Sequence, residues 1–238
     1  MSVYGVKLKG RMVVAEGTMA FRLSKPEEFV FKAGQAVTLE LIDPPAEDGQ
    51  GSRTLSLVSA PFEHELMLAT RMRDSAFKRA LKALPDGAGI RIDGPFGDLT
   101  LGDAGRPAAL IAGGIGITPF MSMLRQAAKD PSPQRLFLAY SNRRPEDAAF
   151  LDELQGLERR NKQFRLMATM TDMSKSAREW SGETGIVDAA MLKRLVGDLA
   201  APTYYIVGPP AMVEAMQQTL AGAGVAADQI RTEEFYGY

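Results

Sequence analysis

The stretch that decides the fold of the second half of this chain is Leu110-Ile111-Ala112-Gly113-Gly114-Ile115-Gly116-Ile117-Thr118-Pro119. An apolar strand ends here in a glycine turn, and a helix follows directly. Glycines allow a tight turn and a close approach to a ligand, and the unpaired N–H groups at a helix start attract anions. Thr118 is a good N-cap and Pro119 a good first helical residue. The turn predicts a phosphate site, although a strand-to-helix turn without a ligand has the same pattern.

The pattern of predicted secondary structure changes along the chain. Residues 3–72 contain short strands separated by turns, at 7–15, 19–23, 36–41, 54–59 and 65–72, which predicts a closed antiparallel barrel. A helix at 75–84 and a strand at 87–93 follow. After the Gly- and Pro-containing segment 98–107, apolar strands at 110–112, 135–139, 164–169 and 203–207 alternate with helices centred near Met123, Leu154, Leu192 and Met216. This alternation predicts a parallel sheet wrapped by helices. We therefore expect two domains, residues 1–103 and 104–238.

Composition excludes several classes of function. The 238 residues are 45% apolar and 24% charged, with a formal net charge of −1, so no global field attracts nucleic acid or anionic membrane. The sequence has no cysteine, which excludes disulfides, cysteine-type zinc sites and cysteine-bound iron–sulfur clusters. The sequence shows no signal peptide and no apolar run of the ~20 residues that span a membrane. We expect a cytoplasmic protein with no metal site, no nucleic-acid partner and no membrane partner.

Three further motifs accompany the glycine turn: Arg53-Thr54-Leu55-Ser56, Gly94-Pro95-Phe96-Gly97 and Gly208-Pro209-Pro210-Ala211-Met212. Together with the closing Glu233-Glu234-Phe235, this ordered set resembles the ferredoxin–NADP reductase family of flavoproteins. The resemblance runs from about residue 5 to the end of the sequence. It implies an FAD-binding barrel followed by an α/β domain that binds NADP or NAD. The chain departs from the family pattern at Leu55, where the family has tyrosine, and at Val207, where it has cysteine.

The first motif supplies chemistry suited to a flavin. Arg53 offers a forked, permanently charged donor for a pyrophosphate. The resemblance implies that Ser56 bonds near flavin N5 and that Leu55 covers the ring. It also implies that the loop before the short helix cradles the pyrophosphate with backbone donors from residues 75–78, although a solvated basic turn is an equal alternative. The residues expected to bind the flavin are Arg53, Thr54, Leu55, Ser56, Thr70, Arg71, Met72, Ser75, Ala76, Phe77 and Lys78.

The second half is expected to bind the nicotinamide coenzyme at the ends of its strands. The residues expected there are Gly113, Gly114, Gly116, Ile117, Thr118, Pro119, Asn142, Arg143, Gly208, Pro209, Pro210, Met212 and Phe235. No Asp or Glu that would favour NAD follows strand 135–139 directly, and Arg143 or Arg144 could pair with the extra phosphate of NADP. A solvated basic loop with Glu146 and Asp147 as counter-charges is the alternative. The balance slightly favours NADPH.

The chain end carries two further candidate catalytic residues besides Ser56. By resemblance, Glu233 positions the nicotinamide near the reacting carbon. Tyr238 is either a lid over the flavin, with Gly237 as its pivot, or a frayed chain end.

The motifs together predict an FAD-dependent NAD(P)H reductase. It would move a hydride from NAD(P)H to FAD and pass electrons to an acceptor such as ferredoxin, flavodoxin or an oxygenase component. The alternative is a non-catalytic flavin- and nucleotide-binding subunit of a larger complex.

Overall fold

The first half of the molecule is a six-stranded antiparallel sheet. The computed structural model describes residues 2–42, 51–130 and 132–236. The strands are β1 (Ser2–Ala15), β2 (Thr18–Ser24), β3 (Ala36–Leu41), β4 (Ser52–Ser56), β5 (Glu65–Arg71) and β6 (Gly89–Phe96). They pair in the order β4-β3-β6-β1-β2-β5. The antiparallel, barrel-like fold is thus confirmed. We call β1–β6 and the helix that follows β5 the barrel half.

The barrel does not close, so the prediction of a closed barrel is wrong. The two edge strands β4 and β5 meet only just beyond β4, through a bridge between Leu57 and Leu68 and a bond from Val58 N–H to the Met67 carbonyl at 2.8 Å. β4 is only five residues long, and the chain turns away before it can pair along β5. The Gly94-Pro95-Phe96 part of the second motif forms the end of β6.

A short helix covers one side of the barrel core. This helix, α1 (Ala76–Ala83), buries Phe77 and Leu81 against the apolar interior, as its spacing predicts. Ser75 is its N-cap, and the Ser75 side chain accepts a hydrogen bond from Lys78 N–H at 3.3 Å. The first turn contains no acidic residue. The start of α1 is therefore open to a negatively charged ligand.

The second half is a parallel sheet wrapped by helices, as predicted. Its strands are β7 (Ala108–Gly113), β8 (Leu136–Asn142), β9 (Phe164–Met170), β10 (Glu183–Thr184), β11 (Thr203–Gly208) and β12 (Ile230–Glu234), in the order β10-β9-β8-β7-β11-β12. The helices are α2 (Ile117–Lys129), α3 (Leu151–Arg160), α4 (Ala189–Val196) and α5 (Pro210–Gly222). We call this the parallel half. The strand order reverses between β7 and β11, which is where open sheets bind ligands.

The start of α2 differs from the prediction. A 3-10 turn at Gly114–Gly116 leads directly into α2, so Gly116 occupies the N-cap position and Thr118 is already inside the helix. The Thr118 hydroxyl donates to the Ile115 carbonyl at 3.1 Å. Pro119 still lies in the first turn, where its missing N–H costs little. The helical turn begins earlier because the glycines themselves adopt it.

The predicted boundary at residues 103 and 104 lies in the segment between β6 and β7. A continuous apolar cluster joins the two halves, with Val58 and Ala69 of the barrel half packed with Phe120 and Met123 of α2. None of the helices in the described ranges is long and apolar enough to cross a membrane.

Candidate active site

A pocket of about 220 Å³ lies where the barrel half, the start of α2 and the end of β12 meet. It is lined by Thr54, Leu55, Ser56, Ala69, Ile115, Thr118, Glu233, Glu234, Phe235 and Tyr236. Two of the three candidate catalytic residues, Ser56 and Glu233, therefore share one cavity although they are far apart in sequence. Tyr238, the third, and Gly237 lie outside the described residues.

Ser56 is the last residue of β4 and is only 4% exposed. It lines the pocket, and its hydroxyl makes no hydrogen bond to any residue in the described ranges. A buried hydroxyl normally has a partner. Ser56 therefore offers a donor to a ligand in the pocket, which fits a polar edge of a flavin ring.

Glu233 on β12 is paired with Val207 on β11, just before the loop that begins at Gly208. Burial alone raises the pKa of its carboxyl above the usual range. Its neighbour Phe235 is fixed by a bond from its N–H to the Gly208 carbonyl at 2.9 Å. Because β12 joins β11 in the sheet, the carboxyl of Glu233 has a rigid support next to the pocket.

The raised pKa gives a prediction for stability. Below the unfolded pKa of about 4.3 the carboxyl is protonated in both states, whereas at higher pH the buried charge destabilises the folded protein. We expect Glu233→Gln to raise the unfolding temperature at pH 8, and this gain to vanish as pH falls towards 4. Thermal unfolding across this range measures the difference, with exposed Glu234→Gln as control. A gain independent of pH would contradict the assignment.

The predicted flavin phosphate residues gather around the start of α1. The guanidinium of Arg53 lies over the ring of buried Phe77, 5.2 Å from its centroid. Burial lowers the pKa of Lys78, and the neighbouring cations Arg53 and Arg73 lower it further. Three positive charges thus converge on a helix start, and an anion placed there would relieve their repulsion. The residues present fit a pyrophosphate.

Some predicted backbone donors are already occupied. The N–H of Lys78 bonds to Ser75, so the helix start offers the N–H groups of Ala76 and Phe77. The N–H of Met72 donates to the Gly17 carbonyl at 2.7 Å. The hydroxyl of Thr70, which is 4% exposed, points to the Arg71 carbonyl at 3.4 Å. Met72 and Thr70 therefore support the loop through their own chain contacts.

Leu55 and Thr54 face opposite sides of β4, as the alternation predicts. Leu55 packs partly against the barrel core, and exposed Thr54 makes a hydroxyl contact with Thr38 at 3.3 Å. Both also line the pocket. The side chain that replaces the family tyrosine therefore contributes an apolar wall.

The glycine turn after β7 packs tightly on the loop after β11. A Cβ on Gly116 would lie 2.7 Å from the Val207 carbonyl carbon and in harder overlap with its oxygen. Gly113 is similarly close to Met212 and Pro209. A side chain at Gly116 would therefore point into the contact between α2 and β11, and not towards a ligand. Glycine is required here because helix and strand pack closely. Gly114 has φ of +54°, a conformation that favours glycine.

The donors of this turn are fewer than predicted. Ile117 donates its N–H back to the carbonyls of Gly114 and Ile115, and Pro119 has none. On the second loop, Pro209 is exposed and α5 begins at Pro210. The two loops thus form a narrow backbone cradle at the strand-order reversal, suited to a dinucleotide phosphate.

Arg71 is the clearest case of a residue in an unexpected place. Its guanidinium lies against Gly114, since a Cβ there would be 2.9 Å from Nη2. Its charge also acts on Tyr140 of β8 and on Asp147 in the loop that follows β8. Within the described ranges the guanidinium makes no hydrogen bond or ion pair. Arg71 starts in the barrel half and reaches the glycine turn of the parallel half, so its charge lies where the two predicted cofactor sites approach each other.

Asn142 ends β8 beside this turn. It is 5% exposed, and neither its Oδ1 nor its Nδ2 has a partner in good hydrogen-bond geometry, although the amide lies close enough to the Tyr140 hydroxyl to lower the pKa of that tyrosine. A buried amide without partners costs stability unless a ligand or water satisfies it. Asn142 therefore fits the coenzyme role that the sequence predicts.

The two arginines after β8 differ. Arg144 binds both oxygens of Asp147, at 2.8 and 3.0 Å, and pairs with Glu16 at 3.2 Å. These contacts engage its guanidinium within the protein. Arg143 is exposed, and its charge is one of those that lower the pKa of Asp172. Of the two alternatives, only Arg143 can meet an added phosphate without breaking an ion pair.

The comparisons with known proteins agree with this geometry. A family model described as an oxidoreductase NAD-binding domain matches residues 110–218. A ferredoxin–NADP reductase B of Sorangium cellulosum is 31% identical over 230 residues, which cover 91% of this chain and 90% of that protein. A glycine betaine monooxygenase reductase subunit of Chromohalobacter salexigens is 32% identical over 92% of this chain, which spans 60% of that relative.

A solved structure shows the same architecture. The ferredoxin NADP+ reductase of Neisseria gonorrhoeae, which contains bound FAD and NADP, has a TM-score of 0.82 and 26% identity, and the match covers 98% of each chain. The chain belongs to the ferredoxin–NADP reductase family and is an FAD-dependent NAD(P)H oxidoreductase.

Proposed function

We propose that this enzyme takes a hydride from NADPH, with FAD and nicotinamide meeting in the pocket of Ser56 and Glu233, and passes electrons to a separate redox protein. The pocket carries the proposal because it joins β4, the start of α2 and β12 in one cavity. Bound FAD would supply the redox chemistry, and the protein would supply position and electrostatics.

In this proposal the protein holds the reacting atoms rather than taking part covalently. The Ser56 hydroxyl donates to the polar ring edge, and Leu55 covers the ring with an apolar wall. Glu233 positions the nicotinamide from the opposite side. Such positioning matters because hydride transfer needs reacting atoms within about 3–3.5 Å.

The flavin pyrophosphate is proposed to lie between Arg53, Lys78 and the N–H groups of Ala76 and Phe77. The convergence of cations at the start of α1 supports this location. A charge-assisted contact from Arg53 is the strongest single interaction available there.

The coenzyme pyrophosphate is proposed to lie between Arg71 and the glycine turn. Arg71 supports this because its charge sits at Gly114 without an ion pair in the described part of the chain. Asn142, with its unpartnered amide, completes the polar surroundings.

We propose NADPH over NADH because Arg143 is exposed, whereas the acidic groups nearby are engaged. Arg144 bonds hold the pKa of Asp147 below its usual range, and Glu146 accepts hydrogen bonds from Ser176 and from the N–H groups of Ala177 and Arg178. No carboxylate of this loop is left to bind the ribose hydroxyls that distinguish NADH.

The two arginines should separate experimentally. We expect Arg71→Ala to weaken NADPH and NADH binding equally, because both carry the pyrophosphate. Arg143→Ala should weaken only NADPH, by about 1.5–3 kcal/mol for a lost charge-assisted contact, or roughly 10- to 150-fold. Dissociation constants from rapid flavin reduction measure both effects. Arg91→Ala is the control, because Arg91 pairs with Glu40 and does not line the pocket. An equal loss of affinity for both coenzymes in Arg143→Ala would contradict NADPH selection.

The acceptor is proposed to be a ferredoxin or an oxygenase component, because the relatives that cover most of this chain are named as reductases for such systems. None of the 238 residues is a cysteine that could hold an iron–sulfur cluster within this sequence. Reoxidation of the reduced protein by a [2Fe–2S] ferredoxin, compared with oxygen and free flavin, tests the acceptor class. A cytoplasmic location stays a prediction.

A further inference from the structure

Three polar side chains form a stripe along α2. Thr118, Ser122 and Arg125 follow one another at spacings of four and three residues, which places them on one face of the helix. Most other residues from Ile117 to Leu124 are buried and apolar. We call these three residues the α2 stripe.

The stripe is bonded to the segment that continues β4. The Ser122 hydroxyl donates to the Ser59 carbonyl at 2.7 Å, and both residues are fully buried. Arg125 donates from Nη1 to the Val58 carbonyl at 3.4 Å and faces Glu63 at 3.5 Å. These carbonyls lie only two and three residues after Ser56.

Arg125 is itself fixed by its own half of the molecule. Its Nε and Nη2 bind the two carboxylate oxygens of Glu153 on α3, at 2.7 and 2.8 Å. Its side chain is 12% exposed and lies over the ring of Phe150, at 5.9 Å. A bidentate pair holds the guanidinium in one orientation, so its remaining donor has a fixed direction.

Helix α2 thus connects the proposed coenzyme site with the proposed flavin site. α2 has 13 residues and is about 20 Å long. It starts at the glycine turn and lines the pocket at Thr118. Through Ser122 and Arg125 it is bonded to residues 58–59, which directly follow β4. A shift of α2 along the barrel half would move the coenzyme turn relative to Ser56 by the same distance.

We propose that Ser122 and Arg125 are positioning residues. They set the position of the glycine turn at the start of α2, where the coenzyme is proposed to bind, relative to β4, which carries Ser56. This inference rests on the proposed function. The two residues line neither cofactor site and act only through α2 and residues 58–59. Since a displacement near 1 Å can cost about 100-fold in rate, their loss should slow hydride transfer more than it weakens binding.

The test compares Ser122→Ala and Arg125→Met with Arg160→Met, an exposed arginine on α3 beside the same cleft. We expect the first two variants to lower the rate of flavin reduction at saturating NADPH by about tenfold or more. FAD content and the NADPH dissociation constant should stay within about twofold. The long-wavelength absorbance of stacked flavin and nicotinamide should also decrease. Arg160→Met should behave as wild type.

A measurement on cofactor-free protein tests the hydrogen bonds between α2 and residues 58–59 directly. Hydrogen exchange of residues 57–60 in flavin-free protein should be faster in Ser122→Ala than in wild type. Tyr204→Phe removes the buried hydrogen bond from the Tyr204 hydroxyl to the Leu199 carbonyl, at 2.9 Å within the parallel half, and leaves the α2 stripe intact, so it controls for general destabilisation. It should lower the unfolding temperature with little change in the reduction rate.

Equal losses of reduction rate in Tyr204→Phe and Ser122→Ala would overturn the proposal, because instability would then explain both. Unchanged rates in both stripe variants would also overturn it and leave the proposed function intact. Wild-type protein that binds FAD but is not reduced by NADPH or NADH would instead overturn the proposed function, and the positioning proposal with it.

Discussion

Gly116→Val should abolish flavin reduction by NADPH while leaving FAD bound. The new side chain would collide with the backbone of Val207 and Gly208, which cannot move away as a flexible side chain could. We expect a cost of about 3 kcal/mol or more from this overpacking, concentrated where the β7 and β11 loops meet. The flavin residues on β4 and α1 lie in the other half. Visible absorbance for bound FAD and anaerobic addition of NADPH measure the two sites separately.

Gly222→Val provides a matched control. Gly222 ends α5, and a Cβ there would meet nothing within 4 Å. That variant should bind and oxidise NADPH as wild type does. If Gly116→Val were reduced with normal rate and affinity, the glycine turn would not be part of the coenzyme site.

Arg53→Ala should weaken the binding of FAD. The guanidinium of Arg53 lies over the Phe77 ring at the start of α1, close enough to Lys78 to lower the pKa of that lysine. Loss of its charge-assisted contact should cost about 1.5–3 kcal/mol, or roughly 10- to 150-fold in FAD affinity. Titration of flavin-free protein with FAD gives the dissociation constant.

Arg79→Ala is the control for net charge. Arg79 is also on α1, but it is exposed and pairs with Asp74. Its removal should change FAD affinity by less than about threefold, as expected for a surface ion pair. Equal losses in both variants would show that only the overall charge of α1 matters.

Local patterns predicted most of the fold. The alternation of short strands and turns identified the barrel half, and the strand–helix alternation identified the parallel half. Sequence reasoning missed β10, which has two residues, and β12, which lies in a polar segment. β12 forms because β11 offers it an edge, and such pairing leaves little signal in its own residues.

Ser56 and Glu233, which the motifs singled out, line one pocket, and their roles toward the cofactors stay predictions. Where other side chains lie depends on tertiary packing. Arg71 was assigned to the flavin loop because of its neighbours in sequence, but its long side chain reaches the other half of the molecule. Thr118 looked like an N-cap, yet the glycines before it already adopt helical turns. Neither outcome can be read without knowing which segments face each other.

The central claim is that FAD and a nicotinamide coenzyme meet in the pocket between Ser56 and Glu233. Anaerobic titration of the purified protein with NADPH, followed by visible absorbance, tests it most directly. We expect one non-covalent FAD per chain, bleached by one equivalent of NADPH. Protein that takes up no added FAD, or bound FAD that neither NADPH nor NADH reduces, would contradict it.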